Sequence, residues 1–236
     1  MVIDLDFGHL MTAREHSSLA TQLQISYSEV VKRCAPRPDW LPIRLAFTSS
    51  SSASDPSLRE NGAESWPVHR TPHSFAEALP LLLSSGDGGG GDGGGGVDAD
   101  PSASSDNGGG STAGGGVGGV GPPGEVALPR LVVLSPDAEE PLDVLRPTEE
   151  VYVIGGLCDY KRIVGATSRR AAHLGVTSRR LPIAQTFGRR LQVDILTVDQ
   201  VVVCLLECAN NGGDWEKALR AALPPRKLAD LPAAAG

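Results

Sequence analysis

The four cysteines, Cys34, Cys158, Cys204 and Cys208, form no C-x-x-C pair. Zinc ribbons and dithiol redox centres need that spacing, so both are set aside. Cys204 and Cys208 stand four apart, on one face of any helix there, with no histidine near. They read as buried thiols in a reducing, intracellular compartment. No apolar run reaches the roughly 20 residues of a membrane span, and the first residues show no signal-peptide pattern. No G-x-G-x-x-G follows a candidate strand, which argues against a dinucleotide-binding dehydrogenase. The run GGGGDGGGG at 88–96 lacks a GK[ST] ending and a flanking strand and helix, so it is no phosphate loop. The triplet DFG at 6–8 has no lysine-bearing strand or HRD loop to accompany it, which removes a kinase.

The chain's 236 residues suffice for one good core or two small ones. Their hydrophobic share, 40%, is low for a compact domain, and the deficit is local. Residues 86–124 hold most of the 29 glycines and almost no large apolar side chain. Such a segment buries too little area to offset its ordering entropy, so a disordered insertion is expected there. It separates two halves of one domain, 1–85 and 125–236. The net charge of −7 argues at first against a nucleic-acid partner. The insertion accounts for most of it, with Asp87, Asp92, Asp98, Asp100 and Asp106 and no basic residue. Residues 160–193 are the reverse: Lys161, Arg162, Arg169, Arg170, Arg179, Arg180, Arg189 and Arg190, with no Asp or Glu. That stretch makes a local positive field suited to phosphate; the alternative is a set of solvated surface arginines.

Strands alternate with helices along the rest. The first strand is expected at 2–5, so close to the start that it predicts an N-terminal truncation. Thr12 and Glu15 have capping-box spacing for a helix running to about Ala35, where Pro36, Pro38 and Pro42 end it. Further strands are expected at 43–47, 131–134, 151–154 and 180–183. Helices are expected at 74–83, 168–174, 197–209 and 215–222, with one or two turns from Pro141 to Leu145. Gly175 has the position of a left-handed C-cap, and Asp214 that of an N-cap. The pattern implies an α/β fold, a mainly parallel sheet with helices on both faces.

Residues 151–162, VYVIGGLCDYKR, carry the most chemistry. A buried strand ends at Gly155–Gly156, where glycines permit close approach to a ligand. Asp159 follows at the strand's C-terminal end, the edge where open α/β sheets bind ligands. Two stretches echo the arrangement: SRRLPI at 178–183 and LTVDQVVVCLLE at 196–207. With VIDLDFGHLM (2–11), IRLAFTS (43–49), LVVLSPDAEEPLDVL (131–145) and GDWEKALRAALPPRK (213–227), these resemble, in order, the tRNA guanine-9 N1-methyltransferase family of the SPOUT class.

The resemblance implies a C-terminal trefoil-knotted SPOUT methyltransferase fold and S-adenosyl-L-methionine as cofactor. It implies methyl transfer to N1 of guanine at position 9 of tRNA. Its cofactor loops map to Gly155, Gly156 and Leu157, to Leu181, Pro182 and Ile183, and to Leu196, Thr197, Val198 and Val201. Some of these apolar residues read equally as plain core. Asp159 becomes the candidate base that takes the N1 proton, against the alternative of a turn-forming acid. The basic residues of 160–193 become the tRNA contacts. The working unit is expected to be a monomer with no membrane partner, in nucleus or cytoplasm, an organelle being left open. The family usually has Val where Cys158 stands, Asn where Lys161 stands, and Asn where Asp199 stands. These departures leave a non-catalytic RNA-binding or scaffold protein on the same fold as the alternative.

Overall fold

A computed structural model describes residues 1–35, 37, 40–50, 56–84, 128–158, 162–188, 191, 193, 195–229 and 231. The expected insertion at 86–124 lies outside the described residues. So do Asp159, Lys161, Arg189 and Arg190.

Six strands make one sheet in the order β3-β2-β1-β5-β4-β6. They are β1 (Val2–Asp4), β2 (Ala46–Thr48), β3 (His69–Arg70), β4 (Arg130–Leu134), β5 (Glu150–Gly155) and β6 (Thr177–Arg179). Every pair is parallel. Eight α-helices accompany them among the described residues: α1 (Ala13–Cys34), α2 (Pro56–Glu60), α3 (Phe75–Ser84), α4 (Ala166–His173), α5 (Ile183–Phe187), α6 (Val198–Asn210), α7 (Trp215–Ala222) and α8 (Pro225–Leu228).

Side chains on the strands alternate between two cores, as a period of two requires. Ile3, Phe47, Val132, Leu134, Tyr152 and Ile154 face α1 and α6, meeting Leu19, Leu23, Val202, Leu205 and Leu206. Val2, Ala46, Val133 and Val153 face the other way, onto Phe75 of α3 and Ala171 of α4. Helices therefore cover both faces, as the sequence implies. α7 extends the structure by packing Ala218 and Leu219 on Cys204 and Cys208 of α6.

Helix ends fall where local chemistry puts them. Thr12 and Glu15 form the capping box of α1, and Glu77 bonds both the N–H and the hydroxyl of Ser74 ahead of α3. Gly175, with φ of 67°, follows α4. The strands correct the sequence reading in three places. β2 lies at Ala46–Thr48 rather than 43–47, because β1 opens at Val2 and Val2 pairs with Ala46; before it, among the described residues, only the Met1 amino group reaches back, to the Arg44 carbonyl at 2.8 Å. β6 lies at Thr177–Arg179 rather than 180–183. Arg180 makes only an isolated bridge to Pro141, and Pro182 has no N–H to carry the ladder on. That same bridge fixes Pro141, and no helix forms over 141–145. The trefoil crossing is a property of the whole path. That path passes Arg189, Arg190, Gln192 and Asp194, which lie outside the described residues.

Candidate active site

Parallel strands bring their C-terminal ends to one edge, and four of them end in line. Asp4 pairs with Gly155, and Leu134 pairs with both Ile154 and Arg179. The chain after each strand must turn there. After β5 the turn is tight: the Gly156 N–H donates to the Asp4 carbonyl at 2.8 Å, and the Leu157 N–H to the Gly155 carbonyl at 2.9 Å. A Cβ on Gly156 would lie 2.9 Å from that carbonyl oxygen and 2.7 Å from Leu5 Cδ2. Backbone cannot yield as a side-chain tip can, so only glycine fits.

A cavity of about 270 Å³ opens beside this turn. It is near the lower end of small-molecule sites, which begin at ~300 Å³. Three of its walls are the expected ones: Gly155 and Leu157; Leu181 and Ile183; Leu196, Val198 and Val201. Gly156, Pro182 and Thr197 do not line it. Gly156 shapes the turn, Pro182 precedes α5, and Thr197 is the N-cap of α6, its N–H donating to Gln200 at 3.0 Å. A fourth wall, Leu134, Ser135 and Pro136 after β4, was not foreseen, nor were the polar groups of Thr167 and Arg180. The signal was the pairing of β4 with β5, which sets Leu134 beside Ile154.

The site is mainly apolar with a few polar groups at its rim. The Arg180 guanidinium donates to the Ala138 carbonyl at 2.9 Å and to that of Glu139, folding the 135–140 loop over the cavity. Asp137 accepts the Gly165 N–H at 2.8 Å and ties that loop to the start of α4. Asp199, where the family usually has Asn, stands in the first turn of α6. An acid is favourable there because the helix dipole is positive at that end. Cys158 is half-buried, and burial pushes its thiol up, which disfavours the thiolate.

Among the described residues, the basic side chains do not form one patch. Arg170 points inward, 17% exposed, with its guanidinium on Asp4 at 2.5 Å, Asp6 at 2.6 Å and the Ser49 hydroxyl at 3.1 Å. Arg179 is half-buried and pairs with Glu140 at 3.2 Å. Arg169 is exposed and donates to the Val164 carbonyl at 2.9 Å. Arg162 is 48% exposed and pairs with Glu15 at 2.7 Å. Asp159, the candidate base, and Lys161, Arg189 and Arg190 lie outside the described residues.

The chain is similar to known proteins over nearly its full extent. Residues 1–228 match the family model described as tRNA (guanine(9)-N(1))-methyltransferase TRM10/TRM10A. A tRNA (guanine(9)-N1)-methyltransferase of Cryptococcus neoformans var. neoformans serotype D (strain JEC21) is 32% identical over 235 residues, 97% of this chain and 58% of the relative. The tRNA methyltransferase 10 homolog A of Rattus norvegicus is 36% identical over 99 residues, 41% of this chain and 28% of the relative. The chain thus spans little more than half the length of the first of these relatives. Two solved structures share the fold. A full-length spTrm10 in complex with SAH superposes with a TM-score of 0.62 at 21% identity, covering 94% of this chain and 93% of that one. A dual-specific Trm10 from Thermococcus kodakaraensis does so with 0.54 at 16%, covering 94% and 98%. On the match across residues 1–228, the chain belongs to the TRM10/TRM10A family of tRNA (guanine(9)-N(1))-methyltransferases.

Proposed function

We propose that this chain transfers a methyl group from S-adenosylmethionine to N1 of guanine at position 9 of tRNA. The observation that carries the reading is the apolar cavity at the C-terminal strand edge, closed by the loops that the family resemblance assigns to the cofactor. The residues fit such a ligand. Leu181, Ile183, Leu196 and Val198 offer a flat apolar slot for an adenine ring. Gly155 lines the cavity, and Gly156, where a Cβ would meet the Asp4 carbonyl, keeps the turn beside it tight. When bound, the cofactor supplies an electrophilic methyl on a sulfonium and leaves as a neutral thioether.

The chain's own residues then have three tasks. The turn and the α6 start hold the cofactor's place and keep water out. Asp159 takes the proton from guanine N1, which in the neutral base has no free lone pair. Arg162 and Lys161 grip phosphate or steady negative charge on the ring oxygen. The target base must leave the tRNA core to reach the site. The working unit proposed is a monomer. A tRNA substrate supports a place inside the cell, in the nucleus or cytoplasm, with an organelle left open. Among the described residues no helix is long and apolar enough to cross a membrane.

The test pairs binding with turnover. Calorimetry with S-adenosylhomocysteine should show one site per chain, and methyl-labelled cofactor should transfer label to a tRNA transcript. Leu196→Arg, which puts a charge into the cavity wall, should abolish both. Binding without transfer to any tRNA would favour the non-catalytic RNA-binding alternative.

A further inference from the structure

The first turns of α1 and the segment before it meet the chain on both sides of Asp159. On one side, Cys158 donates its N–H to Met11 Sδ at 3.5 Å, and its sulfur accepts from Gln22 Nε2 at 3.2 Å. On the other, Arg162 donates to the Leu10 carbonyl at 2.9 Å and to Glu15 Oε2 at 2.7 Å. Glu15 and Gln22 stand seven apart, two turns along one face of the helix. Gln22 does a second thing. Its Oε1 accepts the Val198 N–H at 3.0 Å, one of the unpaired donors at the start of α6. One amide thus bridges two cavity walls, the β5 turn and the α6 N-terminus.

We propose that Glu15 and Gln22 are positioning residues for methyl transfer: Glu15 fastens Arg162, and Gln22 ties Cys158 to the start of α6. Neither touches the cavity, so neither is a catalytic residue. Both act through the chain that carries the proposed base, and the inference rests on the methyltransferase reading. Glu15 has two roles that chemistry can separate. Its carboxylate accepts the Thr12 N–H at 2.6 Å, closing the helix cap, and it also pairs with Arg162. A glutamine closes a capping box as a glutamate does but cannot hold a guanidinium by charge. Gln22 is separable too. Glu at 22 keeps the acceptor for Val198 and loses the donor to Cys158.

The experiment compares wild type with Glu15→Gln, Thr12→Ala, Gln22→Glu and Gln22→Ala. The readouts are single-turnover methylation at saturating tRNA and cofactor, S-adenosylhomocysteine affinity, and melting temperature. Glu15→Gln should slow the single turnover roughly tenfold, the worth of a charge-assisted hydrogen bond, with cofactor affinity near wild type. Thr12→Ala weakens the same cap yet leaves the ion pair, so it should melt earlier and keep the rate. Gln22→Ala should lose both rate and cofactor affinity, about five- to tenfold each. Gln22→Glu should lose rate and keep affinity. Wild-type rates in Glu15→Gln and Gln22→Ala would overturn the proposal, as would an equal slowing in Thr12→Ala. A wild-type protein that fails to methylate any tRNA would instead overturn the function on which the proposal rests.

Discussion

Asp4 and Gly156 show how single residues set the site. Asp4 is 1% exposed at the end of β1; its carbonyl accepts the Gly156 N–H, and its carboxylate accepts from Ser49 at 2.6 Å and from Arg170. One residue therefore shapes the glycine turn and anchors α4. Gly156→Ala forces its new Cβ against the Asp4 carbonyl. We expect it to cost about 1–3 kcal/mol, as overpacking does, measured by urea unfolding, and to weaken S-adenosylhomocysteine binding by shifting the turn beside the cavity. Arg170→Met would leave the Asp4 charge buried and unpaired. It should destabilise by about 3 kcal/mol, while the salt dependence of tRNA binding keeps its wild-type slope. A slope reduced by about one unit with stability intact would mean that Arg170 grips phosphate. That inward role could not be read from sequence, because Asp4 and Arg170 are 166 residues apart.

Among elements, α1 is the most telling, since its cap reports its own chemistry. The Thr12 N–H, and after it the Arg162 guanidinium, hold the Glu15 carboxyl down at about 2, from an ordinary 4.5. A depressed carboxyl stabilises the fold above its unfolded value and loses that contribution as pH falls through the folded one. The stability difference between wild type and Glu15→Gln should thus be constant above pH 4.5 and shrink to nothing as pH falls toward about 2. Thermal melts across that window check it; a difference as large below pH 2 as above pH 4.5 would show that the charge contributes nothing. The cap was legible because its signal is local, a Thr and a Glu three residues apart. Gly175 and Asp214 were legible for the same reason. Strand limits were not, because a partner strand decides them: Val2 sets where β2 begins, and Pro182 stops β6. The cavity divides likewise. GGL, LPI and LTV stand out as strand-end or helix-start motifs, whereas Ser135, Thr167 and Arg180 arrive through the β4–β5 and β4–β6 pairings.

For the whole molecule, the parallel sheet gathers the ends of β1, β4, β5 and β6 at one edge, and α6 closes that edge from one face. The net charge of −7 says little about the partner, because charge is distributed unevenly: 86–124 holds five acids and no base, and 160–193 holds eight bases and no acid. If this edge methylates guanine 9 of tRNA at N1, the product reports it. A methyl on N1 blocks base pairing, so reverse transcriptase stops one nucleotide short of it. Primer extension on a tRNA transcript incubated with protein and S-adenosylmethionine tests the claim directly. The expected result is a new stop at position 10, one nucleotide short of guanine 9, which needs both protein and cofactor and disappears when that guanine is replaced by a pyrimidine. Full-length extension through position 9, from a protein that binds both tRNA and S-adenosylhomocysteine, would contradict it.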